Sequence, residues 1–151
     1  MATAKVLDGV RVLDFARYIA GPYCAGLLGF LGADVIRIDK PGGGEDRFIG
    51  PVAADASAVY LMTGSNKRSM TLDLKHAQAR GVVERMVRQA DVVIANMPPG
   101  VLKRMGLDYD TLRAIKPDII LTTQTAFGHK GPWADRGGFD GLGQVMSGSA
   151  W

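Results

Sequence analysis

The residues best equipped for chemistry stand where apolar runs end. They are Arg17, Tyr18 and Gly21 after the first run, Asp39 and Lys40 after the second, then Lys75, then Asn96 and Met97, and last Phe127 to His129. They supply cations, amides and apolar surface, with few carboxylates. His76 and His129 lie far apart and Cys24 is the single cysteine, so no His/Cys zinc cluster and no bound metal is expected. His76 is expected to open a helix and His129 to sit in a solvated turn, with a general-base role as its alternative. Cys24 reads as a packed thiol, Lys67 and Arg68 as a solvated pair, and Asp140 first as a helix N-cap and second as an acid. On spacing alone Arg104 is a surface cation and Met105 a core side chain.

Something must hold these residues together, and the hydrophobic pattern says what. Residues 10–39 run strand, Gly-Pro turn, small-residue amphipathic helix from Tyr23 to Leu31, strand, which makes a βαβ unit with parallel strands. Pro22 fits the first helical turn and Gly21 allows close approach of a ligand to the backbone. Residues 40–56, rich in Gly, Pro and charge, form a long loop without the Lys-Ser/Thr of a phosphate-binding P-loop. Alternation of Met70, Leu72 and Leu74 with polar residues predicts a strand over 69–74, and apolar spacing predicts a helix over 76–89. A continuous apolar run predicts a buried strand over 91–96. A short helix through Met105, a helix capped by Asp108 and ending at Ile115, a strand over 118–127 and a last small-residue helical stretch to Trp151 follow. Alternation of this kind gives an α/β fold, a Rossmann-like doubly wound, mostly parallel sheet whose ligands sit outside the carboxyl ends of its strands. Asp39 stands where a dinucleotide fold places its ribose-binding acid, but Gly21, Gly26 and Gly29 do not spell G-x-G-x-x-G.

Composition narrows the class further. With 151 residues, 47% hydrophobic and 22% charged, the chain is expected to be one globular domain. A net charge of +3 without a basic block is too mild to imply a nucleic-acid partner, and none is expected; no apolar run reaches the length of a membrane span. One cysteine fits a reducing compartment, and a cytoplasmic location is expected. The helical stretch begun just before Trp151 suggests a piece of a longer polypeptide, with a second domain outside it.

Several blocks in order carry a family resemblance: LDGVRVLDF, the AGP turn, LGADVIRIDKP, NKRSMTLDLK, ADVVIANMPPGVLKRMGLDYDTL and GFDGLGQVMSG. Together they resemble the N-terminal part of the large domain of the class III CoA-transferases, the CaiB/BaiF group of formyl-CoA transferase, carnitine CoA-transferase and the α-methylacyl-CoA racemases. The resemblance implies an interlocked homodimer. It also implies an acyl-CoA:carboxylate CoA-transferase in which an aspartate passes through acyl-anhydride and CoA-thioester intermediates. Coenzyme A contacts carried onto matching positions fall on Arg17, Lys40, Leu72, Lys75, Asn96, Met97, Val101, Arg104 and Met105, which turns Arg104 and Met105 from bland residues into ligand contacts. Ile19, Phe139 and Asp140 become candidates for the substrate pocket.

Three departures sharpen the expectation. The family's nucleophilic aspartate follows the MSG block, beyond residue 151, so no catalytic residue is assigned here and these residues alone are expected to be inactive. Ile19 and Gly137 stand where formyl-CoA transferases carry glutamine and lysine, which argues against formate/oxalate specificity, with Arg136 a partial substitute for that lysine. Phe139 stands where racemases carry the histidine that moves an α-proton, which favours transferase over racemase. A racemase-like enzyme, a non-catalytic CoA-binding or partner subunit, and a nicotinamide dehydrogenase are the alternatives.

Overall fold

The structure is a computed structural model that describes residues 4–53 and 55–150. Five parallel strands form its centre: β1 (Arg11–Asp14), β2 (Asp34–Asp39), β5 (Lys67–Thr71), β6 (Val92–Ala95) and β7 (Ile120–Thr123). They lie in the order β5-β2-β1-β6-β7, with Val12 of β1 facing Val35 of β2 on one side and Val92 of β6 on the other. The chain therefore walks outward from β1 in one direction, then returns to β1 and walks outward in the other. That reversal at β1/β6 is the switch point of a doubly wound sheet.

Alternate residues of the strands feed two cores. On one face Leu13, Phe15, Ile38 and Val93 pack against α3 (Ala79–Val87), α4 (Pro99–Met105) and α5 (Tyr109–Ile115) through Val83, Val87, Leu102 and Leu112. On the other face Val12, Val35 and Ile94 pack against Ala25 and Leu28 of α1 (Ala20–Phe30). Helix α1 differs from the expected amphipathic stretch. Its small residues Gly21, Ala25, Gly26 and Gly29 are buried, while the large Tyr23, Leu27 and Phe30 face outward. A Cβ on Gly29 would sit 3.1 Å from the Asn66 carbonyl, so smallness here is a packing requirement. Gly21 is buried by the same logic, since an added Cβ would overlap that of Ala16, so the close approach it allows is to its own chain.

The loop expected over 40–56 is partly structured. It holds a 3₁₀ turn (Glu45–Phe48) and an antiparallel ribbon of β3 (Val52–Ala53) with β4 (Ala56–Ser57), followed by α2 (Ala58–Gly64), capped by Ser57 Oγ accepting from Tyr60 N–H at 3.0 Å. Elsewhere the strand expected over 69–74 spans Lys67–Thr71, and the one expected over 118–127 stops at Thr123. The helix expected from His76 begins at Ala79, and His76 lies in the preceding exposed turn. Asp108 caps α5 as expected, accepting from Thr111 N–H at 3.2 Å. Asp140 does not cap α6 (Asp140–Met146): it occupies the first turn and accepts from Gln144 Nε2 at 2.5 Å. Trp151, which closes the last expected stretch, lies outside the described residues. Among the described residues no helix is long and apolar enough to cross a membrane.

Lys67 is not a solvated residue. Its ammonium is buried under α1, donating to Asp14 Oδ2 at 2.8 Å and to the Pro22 carbonyl at 2.6 Å, and the Lys67 and Asp14 side chains are at most 1% exposed. Only Arg68 points to solvent, paired with Asp34. Removing one member of a buried pair strands the other charge. Lys67→Met is therefore expected to cost about 3 to 5 kcal/mol in urea unfolding, and adding Asp14→Asn to it to recover part of that loss.

Candidate functional site

The carboxyl ends of β1 and β6 meet where α1 leaves over one face and α4 over the other. Residues 15–19 cross this junction as a loop, and Asn96, the first residue after β6, ties it down. Asn96 Oδ1 accepts the Arg17 N–H at 2.8 Å and Asn96 Nδ2 donates to the Arg17 carbonyl at 2.6 Å. The Arg17 guanidinium folds inward, and its Nη1 donates to the carbonyls of Phe15, Ala16 and Ile38 at 3.0, 3.1 and 3.1 Å. It thus joins the ends of β1 and β2, carrying positive charge to the carboxyl edge of the sheet.

Next along the loop, Tyr18 has φ +63°, the left-handed region that a bulky residue rarely adopts. Its ring meets Phe139 edge to face, with centroids 5.2 Å apart. Ile19 and Phe139 are both largely exposed beside it, and Asp140 follows Phe139 at the start of α6. Of the three expected pocket residues, Phe139 is thus the one in contact with the Tyr18 ring.

The expected ligand contacts divide into two groups. Leu72, Met97 and Met105 are half-buried and rest on the core cluster beneath this edge, with Val101 half-buried on α4. Leu72 is drawn to the end of β2 by its N–H donating to the Asp39 carbonyl at 2.8 Å. Lys40, Lys75 and Arg104 are exposed, and among the described residues Lys75 and Arg104 make no ion pair. The expected contacts thus divide into apolar side chains packed on the core and exposed cations. His129 lies in an exposed turn as expected, within 2.6 Å of Thr123 Oγ1, and Cys24 is a half-buried thiol whose pKa is pushed up by burial and by the Asp14 charge.

Glu45 was not flagged by the sequence, yet it bridges two of the cations. It pairs with Lys40 Nζ, and its Oε2 lies 3.9 Å from Arg17 Nε. A carboxylate five residues after Lys40 in a Gly-rich loop was the available signal, but only the fold of that loop turns it back. The loop is held by Arg37, whose guanidinium bonds Asp39 at 3.1 Å and Asp46 Oδ2 at 2.6 Å with all three side chains at most 3% exposed. Burial works against the Arg37 charge, but the Asp46 hydrogen bond and the two carboxylates outweigh it and raise its pKa. Asp39 is thus a buried structural partner and is not placed as a ribose-binding acid. Tyr60 of α2 lies between the Arg37 and Arg47 guanidinium groups, 4.8 and 5.2 Å from its centroid. Beside this stack is a hollow of about 440 Å³ lined by Gly42, Gly43, Arg47, Phe48 and Tyr60, among others, but by none of the expected ligand contacts.

Comparison with known proteins adds to this geometry. A family model described as CoA-transferase family III matches residues 7–151. The succinate–glutarate CoA-transferase of Agrobacterium fabrum is 42% identical over 150 residues, covering 94% of this chain and 38% of that relative. The formyl-CoA:oxalate CoA-transferase of Afipia carboxidovorans is 38% identical, covering 97% of this chain and 35% of that relative. The crystal structure of a CAIB/BAIF family protein from Brucella suis superposes with a TM-score of 0.89 at 40% identity, covering 97% of this chain and 40% of that one. The chain thus spans between 35% and 40% of the lengths of these proteins.

The Lys40 hydrogen bond holds the Glu45 carboxyl below its ordinary 4.5, against a smaller opposing effect of burial. A depressed carboxylate stabilises the fold above its ordinary value, and that contribution is lost as pH falls through the lower folded value. Because the pair is exposed, Glu45→Gln is expected to lower stability at neutral pH by less than about 1 kcal/mol. The gap from wild type should close below pH 4.5 in thermal melts recorded across the acid range.

Proposed function

Because this chain belongs to CoA-transferase family III, we propose that it forms the coenzyme A seat of an enzyme that moves coenzyme A from an acyl thioester to a carboxylic acid. The observation that supports the reading is that Arg17 and Asn96 are bonded to each other at the switch point of the sheet, while Leu72, Met97 and Met105 pack against one core cluster. A coenzyme A molecule needs both kinds of surface. Its phosphates are served by Arg17, Lys40, Lys75 and Arg104, and its adenine and pantetheine arm by Met97, Val101 and Met105.

The chemistry proposed is nucleophilic. An aspartate carboxylate attacks the thioester carbonyl, an anhydride bond forms, and the coenzyme A thiolate leaves. That thiolate attacks the aspartyl carbonyl and releases the donor acid, giving an aspartyl thioester. The acceptor carboxylate then attacks the aspartyl thioester, forming a second anhydride, and returning thiolate gives the new acyl-CoA and the free aspartate. In this reading residues 1–151 hold the carrier through all these steps, and the aspartate comes from sequence outside them. The working assembly is an interlocked homodimer in the cytoplasm, as the resemblance implies.

Phe139 supports transfer over racemisation, because a phenyl ring offers no base to move an α-proton. The complete protein, assayed with acetyl-, succinyl- and formyl-CoA as donors and glutarate, malate and oxalate as acceptors, is expected to exchange thioesters with at least one pair and to bind coenzyme A in calorimetric titration. Arg104→Ala should weaken that binding by roughly tenfold, as loss of one charge-assisted phosphate contact. Glu45→Gln should tighten it severalfold by removing a carboxylate that competes for Lys40 and Arg17. Unchanged affinity in both variants would place the carrier elsewhere.

A further inference from the structure

We propose that Asn96 is a positioning residue that acts through the Tyr18 ring: its amide, bonded to the N–H and carbonyl of Arg17, holds Tyr18 in a left-handed backbone and so fixes the wall of the acyl pocket. This rests on the coenzyme A-transferase reading above.

The Arg17 carbonyl bonded at 2.6 Å belongs to the peptide that leads into Tyr18, and the Arg17 N–H bonded at 2.8 Å belongs to the one before it. Fixing both peptide planes fixes the direction in which the chain enters Tyr18. That residue has φ +63°, a conformation that favours glycine or asparagine and that a large side chain keeps only when its surroundings impose it. A turn needed for its path alone would be served by glycine. Here the side chain is used, because the ring rests edge to face on Phe139 at 5.2 Å. Phe139 is 67% exposed, so the Tyr18 ring is a contact that holds an otherwise open side chain. Asn96 itself stands on the end of a fully buried strand, which makes it a rigid anchor for a strained loop. Its carbonyl oxygen and one of its N–H groups are committed to backbone, so its effect on the ligand runs through the loop.

A double-mutant cycle in the complete protein separates this from a direct ligand contact. With the donor and acceptor that the wild type exchanges fastest, Asn96→Ala is expected to lower kcat/KM by on the order of 10- to 100-fold, the scale for small misplacements of a catalytic pocket. Tyr18→Ala should also lower it, and the double variant should match Tyr18→Ala within about twofold, because the anchor has nothing left to place. Losses that multiply in the double variant would overturn the proposal and make Asn96 a ligand contact. A lowered melting temperature with unchanged kcat/KM in Asn96→Ala would overturn it in favour of a purely structural role. Should Asn96→Ala fail to fold, Asn96→Asp keeps the acceptor for Arg17 N–H, loses the donor, and is expected to show an intermediate loss with the same dependence on Tyr18. A wild type that binds coenzyme A but shows multiplying losses sinks only this inference, whereas one that neither binds nor exchanges it sinks the underlying reading as well.

Discussion

A cation carried out of water needs a counter-charge within reach, and on the α1 face of this sheet that need is met twice. Lys67 comes in from the edge strand β5 and finds Asp14 on β1, passing over β2. Arg37 on β2 finds Asp39 two residues along its own strand and Asp46 in the loop that follows. Desolvation penalises each charge separately, so each pair holds only while both members are in place. The first pair fixes β5 and α1 relative to β1, and the second folds the Gly-rich segment back against the sheet. Gly44 belongs to that arrangement: a Cβ there would come within 2.5 Å of Asp46 Oδ1 and 3.2 Å of both Arg37 Nη2 and Asp39 Oδ1.

The carboxyl edge of the sheet inherits its shape from these constraints. Strand ends deliver Arg17, Lys40, Leu72 and Asn96 to one rim because parallel strands in a doubly wound sheet all finish on the same side. The returned loop then sets Glu45 among the cations, so the rim carries its own counter-ion. Two forces therefore meet at the same place. Buried pairs make the scaffold stiff, while exposed pairs at the rim contribute little to it. The left-handed Tyr18 marks where the stiff part ends, since a strained backbone persists only when neighbours hold it. Beyond it, α6 buries none of its residues, and Phe139, Val145 and Met146 remain exposed.

Much of this was legible in the order of residues. The strands over 10–15, 34–39 and 91–96, the amphipathic α3 and the Asp108 cap follow from period and cap chemistry, which act over a few residues. The family resemblance named expected coenzyme A contacts; among them Arg17 and Asn96 bond to each other, and Leu72, Met97 and Met105 pack on one core cluster. Less legible was α1, where a uniform apolar composition hid the fact that its small side faces inward and its large side outward. Lys67 read as solvated because the carboxylate that buries it lies 53 residues earlier. Asp39 stands where a ribose-binding acid would, a reading the glycine spacing already opposes, and only the fold shows it buried against Arg37. The segment over 40–56 read as open loop because a two-residue ribbon and a 3₁₀ turn leave no periodic trace.

By itself the sequence determined the alternation of strands and helices, the parallel sheet that such alternation requires, and the chemical character of the residues at the strand ends. Those depend on local periodicity and on rules of chain connection, both written in neighbouring residues. Only the tertiary structure decided which charges are buried, that Asn96 grips the Arg17 backbone, that Tyr18 is held left-handed against Phe139, and that Glu45 reaches the basic rim. Each of these is set by a pairing across the fold in a medium of low dielectric, where the environment of a side chain, and not its identity, fixes its energy.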